Sequence, residues 1–217
     1  MRSKLARFAE NTERNNLIEP GKPIFATIQG DWSNYFGNDH PIILELGWGH
    51  GEYTTGLAAL YPNKNFVGVD VKGARIWKGS RDAEVNQLTN AAFLRIRILQ
   101  LENSFANQEA SGIWITFPDP RPKAKDEKRR LTSPRFLDMY RKILKPDSWV
   151  HLKTDNQALF EYTLEVLEER TDISDLVFTD NLYNSGLYEP EQQIETTFEQ
   201  KFAQRGIPIK YLRFRFC

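Results

Sequence analysis

From residue 42 onward, short apolar runs alternate with segments whose apolar residues recur at helical spacing. Ile42–Leu46 is an apolar run ending at Gly47, and Tyr53–Tyr61 reads as a helix closed by Pro62. Phe66–Val71 is the next strand, followed by a helical stretch in which Ile76, Trp77, Ala83 and Leu88 share a face. Phe93–Leu99 alternates, with Leu94, Ile96 and Ile98 opposite Arg95 and Arg97. Ile113–Phe117 is continuously apolar, as expected of a strand buried on both faces. Ser133 and Pro134 form an N-cap and first helical residue ahead of Phe136, Leu137, Tyr140, Ile143 and Leu144. Lys145-Pro146-Asp147 then turns the chain into a strand around Trp149–Lys153, with a helix over roughly 156–169 after it. Ile173–Thr179 and Ile209–Phe216 are two further strands. Such alternation predicts an α/β fold built on a parallel sheet. There is no repeat, low-complexity stretch or linker, so a single domain over 1–217 is expected, with 1–40 as an N-terminal extension and 41–217 as the core.

Composition adjusts this picture only slightly. Hydrophobic residues make up 40% and charged residues 27%, ordinary values for a globular chain. No apolar run approaches the ~18 residues of a membrane span. The opening segment mixes charges of both signs without an apolar core, which argues against a secretory signal. The single cysteine, Cys217, allows no intramolecular disulfide and suggests no metal cluster. A cytoplasmic protein without metal or membrane is expected. The net charge is zero, yet seven Lys/Arg stand against Asp126 and Glu127 between Arg121 and Arg135. That excess points to a local polyanion contact, the alternative being a solvated loop.

Candidate chemistry begins at Leu44-Glu45-Leu46-Gly47-Trp48-Gly49-His50-Gly51, between a strand and a helix. Three glycines permit a tight turn and close approach to a ligand. By itself this loop serves a dinucleotide equally well. Its GxGxG spacing differs from the dinucleotide GxGxxG, and Glu45 is poorly placed to face a pyrophosphate but well placed near a cationic methionine end. Asp70, ending the second strand, suits the two hydroxyls of a ribose. His151 falls inside a strand and reads as core, and Trp32, Tyr35 and Phe36 read as packing.

Phe117-Pro118-Asp119-Pro120 continues through Arg121-Pro122-Lys123-Ala124-Lys125 to Lys128-Arg129-Arg130-Leu131-Thr132-Ser133-Pro134. This closely resembles the hallmark of tRNA (guanine-N7)-methyltransferases. Lys153-Thr154-Asp155-Asn156 is similar to that family's KTDN. Thr196-Thr197-Phe198-Glu199 with Lys201-Phe202 and Gly206-Ile207-Pro208 is similar to its C-terminal signature. Lys4-Leu5 and Arg7-Phe8-Ala9-Glu10 are similar to its opening. The resemblance spans the chain. It implies a Rossmann-like class I methyltransferase fold, a mostly parallel seven-stranded sheet with helices on both faces. It also implies S-adenosylmethionine as cofactor, tRNA as substrate and partner, methylation of the variable-loop guanine at N7, and a monomer or homodimer.

Residue by residue, the resemblance assigns the cofactor to Glu45, Gly47, Asp70, Gln100 and Asp119, with Asp119 also catalytic. Substrate contacts fall to Lys123, Asp155, Thr196, Thr197, Phe198 and Glu199. RNA contacts fall to Lys125, Lys128, Arg129 and Arg130. Two departures stand out: Trp48 is large for its place in the glycine loop, and Gln100 aligns where the family offers an Asp. They motivate one alternative, a tRNA-binding protein that has lost catalysis. A nucleotide-dependent oxidoreductase is the other, resting on the glycine loop and Asp70 alone.

Overall fold

The computed structural model describes residues 3–47 and 51–217. Four strands rich in Ile, Leu, Val and Phe have almost no exposed position: β2 (Ile42–Leu46), β3 (Asn65–Asp70), β4 (Ala91–Arg95) and β5 (Ala110–Thr116). Strands of this composition require cover on both faces and pair in parallel. They do so here in the order β4-β3-β2-β5. The helices between them, α3 (Glu52–Leu60) and α4 (Gly73–Val85), complete the crossovers. Beyond β5 lies β6 (Leu144–Thr154), also parallel, preceded by α5 (Pro134–Ile143) and followed by α6 (Gln157–Glu168). The sheet then turns antiparallel: β8 (Lys210–Phe216) lies between β6 and β7 (Ile173–Thr179).

Among the described residues the sheet has eight strands, one more than expected. The addition is β1 (Leu17–Ile18), which pairs in parallel with β4 through Leu17↔Phe93 and Ile18↔Leu94. Residues assigned to an extension therefore enter the core. The preceding helix α1 (Lys4–Glu13) packs on α4, where the Asn11 amide donates to the Gly73 carbonyl at 3.1 Å and the Trp77 indole to Glu10 at 2.6 Å. On α2 (Trp32–Phe36), Trp32 is fully buried and stacks on Phe105 with centroids 5.0 Å apart, a packing role as expected.

Two other boundaries moved. The fourth strand ends at Arg95 rather than Leu99, because Ile98 and Leu101 are three residues apart and pack inward from a 3-10 turn over Ile98–Asn103. The turn at Lys145-Pro146-Asp147 is a bulge within β6. Pairing with β5 jumps from Ala110↔Leu144 to Gly112↔Trp149, and Asp147 has φ +61°. Three helices lie where the sequence pattern predicts none: α1, α2 and α7 (Thr197–Ala203), the last beginning inside the expected substrate motif, with Thr196 as its N-cap.

Candidate active site

The strand order reverses between β2 and β5, and open α/β sheets bind ligands at the carboxyl edge beside such a reversal. A cleft of about 400 Å³ lies there, receiving Gly47 from β2, Asp70 from β3 and Thr116–Asp119 from β5. Gly47 turns the chain with φ +75°. Trp48, and with it most of the glycine loop, lies outside the described residues. At Asp70, Oδ1 accepts the backbone N–H groups of Val71 at 2.6 Å and Lys72 at 3.0 Å, which fixes the carboxylate at the cleft wall. Among the described residues Oδ2 has no hydrogen-bond partner, so it is available to a hydroxyl.

Glu45 sits behind the wall and is only 2% exposed. It accepts the Thr54 backbone N–H at 2.8 Å, the Thr54 hydroxyl at 2.5 Å and the Thr116 hydroxyl at 2.7 Å. Burial pushes its carboxyl up to about 7 against these three donors. Through Thr116, which lines the cleft, it acts one layer beneath the ligand surface.

Asp119 is presented by a strained turn. Phe117 and Arg121, neither of them glycine, both have φ +48° and bracket Pro118-Asp119-Pro120. Strain of this kind persists only where surroundings enforce it, and it concentrates at functional sites. The Phe117 N–H donates to the Lys153 carbonyl at 2.8 Å, and its ring stacks on Phe202 with centroids 6.0 Å apart. The Asp119 side chain is 61% exposed and pairs with the Arg121 Nε at 3.2 Å. It lines the same cleft as Asp70.

The basic segment that follows is a 3-10 helix, Ala124–Arg129. Lys123, Lys125 and Lys128 are exposed, outside the cleft lining; Arg129 lines the cleft and pairs with Asp126 at 3.0 Å. Arg130, expected to contact RNA, is half-buried against the protein. Its guanidinium donates twice to the Arg121 carbonyl at 3.3 Å and lies 4.2 Å from the Tyr162 ring centroid, clamping the strained turn.

The C-terminal motif divides in the same way. Thr196 is the N-cap of α7, its hydroxyl accepting the Glu199 N–H at 3.1 Å, and with Phe198 it lines the cleft. Thr197 donates its N–H at 2.8 Å and its hydroxyl to the Glu52 carboxylate. Glu199, expected to meet substrate, is fully buried and paired with the equally buried Lys153 at 2.8 Å. Lys153 also donates to the Gln192 carbonyl at 2.9 Å, and Tyr183 donates to Glu199 at 2.9 Å. Burial raises the Glu199 carboxyl and lowers the Lys153 ammonium, each opposed by the partner's charge. A Thr-x-x-Glu spacing signals a helix start, and a lysine in a buried strand demands a counter-charge. Those signals mark each residue separately; their pairing is set by the tertiary fold.

Gln100 is exposed on the 3-10 turn, and Ile98 reaches the cleft instead. Asp155 is half-buried and outside the lining, its carboxyl raised by burial. His151 is structural, half-buried rather than core: it stacks on Trp114 at 3.9 Å, bonds the Tyr211 hydroxyl at 2.8 Å, and desolvation takes it down to about 3. Lys72, Arg75 and Glu52, which carry no motif in the sequence, also line the cleft, as does Arg121 of the basic run. Among the described residues no cluster of three or more His, Cys, Asp or Glu is arranged for a metal, and no helix is long and apolar enough to cross a membrane.

A carboxylate-lined cleft at the reversal of a sheet with an antiparallel β8 places the chain among the open α/β proteins that bind a ligand at the carboxyl edge. The sequence model of a family described as "Putative methyltransferase" matches residues 39–212. The chain is 48% identical to a tRNA (guanine-N(7)-)-methyltransferase of Cytophaga hutchinsonii, covering 99% of this chain and 98% of that one. It is 42% identical to one of Christiangramia forsetii with the same coverages, 99% and 98%. The chain belongs to the tRNA (guanine-N(7)-)-methyltransferase family. In fold it is similar to the 16S rRNA (adenine(1408)-N(1))-methyltransferase of Catenulisporales acidiphilia, with a TM-score of 0.61 at 14% identity over 86% of this chain and 92% of that one.

Proposed function

We propose that the protein methylates N7 of a guanine in tRNA, with S-adenosylmethionine as methyl donor and the variable-loop guanine as target. The observation that carries this reading is the strained Phe117–Arg121 turn, which holds Asp119 in the same cleft as Asp70. The cofactor supplies an activated, electrophilic methyl group. Asp70 offers a free oxygen on a fixed carboxylate, Gly47 a wall without a side chain, and Ile98 and Val71 apolar surface suited to a purine. These residues fit the cofactor.

Guanine N7 carries a lone pair and no proton, so no general base is required, and rate comes from alignment and charge. Asp119 accepts hydrogen bonds from the guanine N1 and amino groups and balances the positive charge that develops on the ring. In doing so it shares its carboxylate with Arg121. Phe198 and Thr196 shape the base side of the cleft. Lys123, Lys125, Lys128 and Arg129 meet phosphates, which supply affinity but no sequence information. Asp155 supports the substrate from the end of β6. The work takes place in the cytoplasm. Incubation with labelled S-adenosylmethionine and unmodified tRNA, followed by nucleoside mass spectrometry, is expected to yield 7-methylguanosine. Labelled tRNA carrying a different methylated nucleoside would overturn the assignment of N7.

A further inference from the structure

We propose that Glu52 couples the cofactor and tRNA halves of the cleft, so that filling either half tightens binding in the other. The inference rests on the methyltransferase reading above. Glu52 is the first residue of α3, directly after the glycine loop, and lines the cleft with Gly47 and Asp70. Its carboxylate accepts both the N–H and the hydroxyl of Thr197, the first residue of α7, and stands 3.8 Å from the Lys78 ammonium of α4. The flanking residues Thr196 and Phe198 line the same cleft.

Two more contacts make the connection stiff. The Tyr53 hydroxyl donates to the Glu191 carbonyl at 2.7 Å. Gly56 lies so close to Ile194 that an added Cβ would stand 2.7 Å from its Cγ2. Positions 52, 53 and 56 of one helix thus grip the segment from 191 to 197. Beneath it, the Lys153–Glu199 pair fixes α7 to β6. Coupling requires an element that both ligands bias; the α3–α7 contact touches both halves of the cleft, and thermodynamics makes any such effect reciprocal. Ordering α3 against the cofactor holds Thr196 and Phe198 in place for RNA, and RNA on α7 holds Glu52 in place for the cofactor. Glu52 is a positioning residue here, because it acts through Thr197.

The test is the dissociation constant for tRNA, measured with and without saturating S-adenosylhomocysteine, which occupies the cofactor half without reacting. Wild type is expected to bind tRNA about tenfold tighter with it. Thr197→Val is expected to lose most of that gain, with cofactor affinity and melting temperature near wild type. Thr197→Ser, which keeps the hydroxyl, is expected to retain it. Equal coupling in Thr197→Val and wild type would overturn the proposal, as would a wild type that binds both ligands independently. A wild type that binds neither ligand counts against the methyltransferase reading itself.

Discussion

Lys153→Met removes one partner from a pair in which both side chains are 0% exposed. Two hydrogen bonds of the ammonium disappear, to Glu199 Oε2 and to the Gln192 carbonyl, together with the 2.8 Å ion-pair contact to Oε1. Glu199 keeps its bond from Tyr183 but has lost its counter-charge. A buried charge stripped of its partner costs about 3–5 kcal/mol. For a domain of this size each kcal/mol moves the melting temperature by about 2–4 °C, so a fall of roughly 10 °C is expected. Replacing both partners, in Lys153→Met/Glu199→Leu, recovers much of the loss, since apolar pairs substitute well for buried ion pairs. The pH dependence has a definite sign. In Lys153→Met burial still pushes the Glu199 carboxyl above its unfolded value, so its contribution is intact below that value and is lost as pH rises through the folded one. The deficit is therefore smaller near about pH 5 than near about pH 8. Differential scanning calorimetry of wild type, both single variants and the double variant closes the cycle. Additive losses, or a deficit that grows toward acid, would refute the pairing.

Asp119→Asn is expected to keep the fold and tRNA affinity while slowing single-turnover methylation about 100-fold or more; a near-native rate removes Asp119 from the chemistry. Asp70→Ala is expected to weaken S-adenosylmethionine binding by about 2–3 kcal/mol in calorimetry, and unchanged affinity in a folded protein refutes its ribose role. Replacing Lys125, Lys128 and Arg129 by Ala lowers the salt slope of tRNA binding by at most about three units, whereas Arg130→Ala acts mainly on stability. Glu45, raised to about 7 from a usual 4.5, stabilises the cofactor-free fold fully below that usual value and loses its contribution as pH rises through 7. Glu45→Gln is expected to flatten the stability profile across that interval, by roughly 3 kcal/mol in total, and an unchanged profile in denaturant titrations rules this out.

The strands Ile42–Leu46 and Ile173–Thr179 were legible because each is a run of strand-forming residues bounded by turn signals. The two-residue strand Leu17–Ile18 was not, since a pattern that short carries no period and its partner lies in β4, 76 residues along. Ile98 was read as continuing an alternation, when the three-residue step to Leu101 favours a 3-10 turn equally well. At the site, sequence brought Gly47, Asp70, Asp119, Thr196 and Phe198 to one place, and the cleft holds them all. It could not separate residues that face the cleft from those that build it. Glu199 and Arg130 belong to motifs whose neighbours face the ligand, yet Glu199 is buried against Lys153 and Arg130 is half-buried against the Arg121 carbonyl. Their partners, Lys153 and the Arg121 carbonyl, are set by tertiary packing, which local spacing does not encode.

The position of β8 bears on how the chain folds. β6 and β7 are consecutive strands joined by α6, and both run antiparallel to β8, so they are parallel to each other. A strand–helix–strand unit of this kind ordinarily pairs directly. Here its two strands must stay two spacings apart, about 9–10 Å, until residues 210–216 arrive. β8 is the last of the eight to be synthesised and has to enter an interior slot rather than add to an edge. Its entry completes two ladders at once, one of them joining β6 to a strand roughly sixty residues along, and such non-local pairing is slow to form.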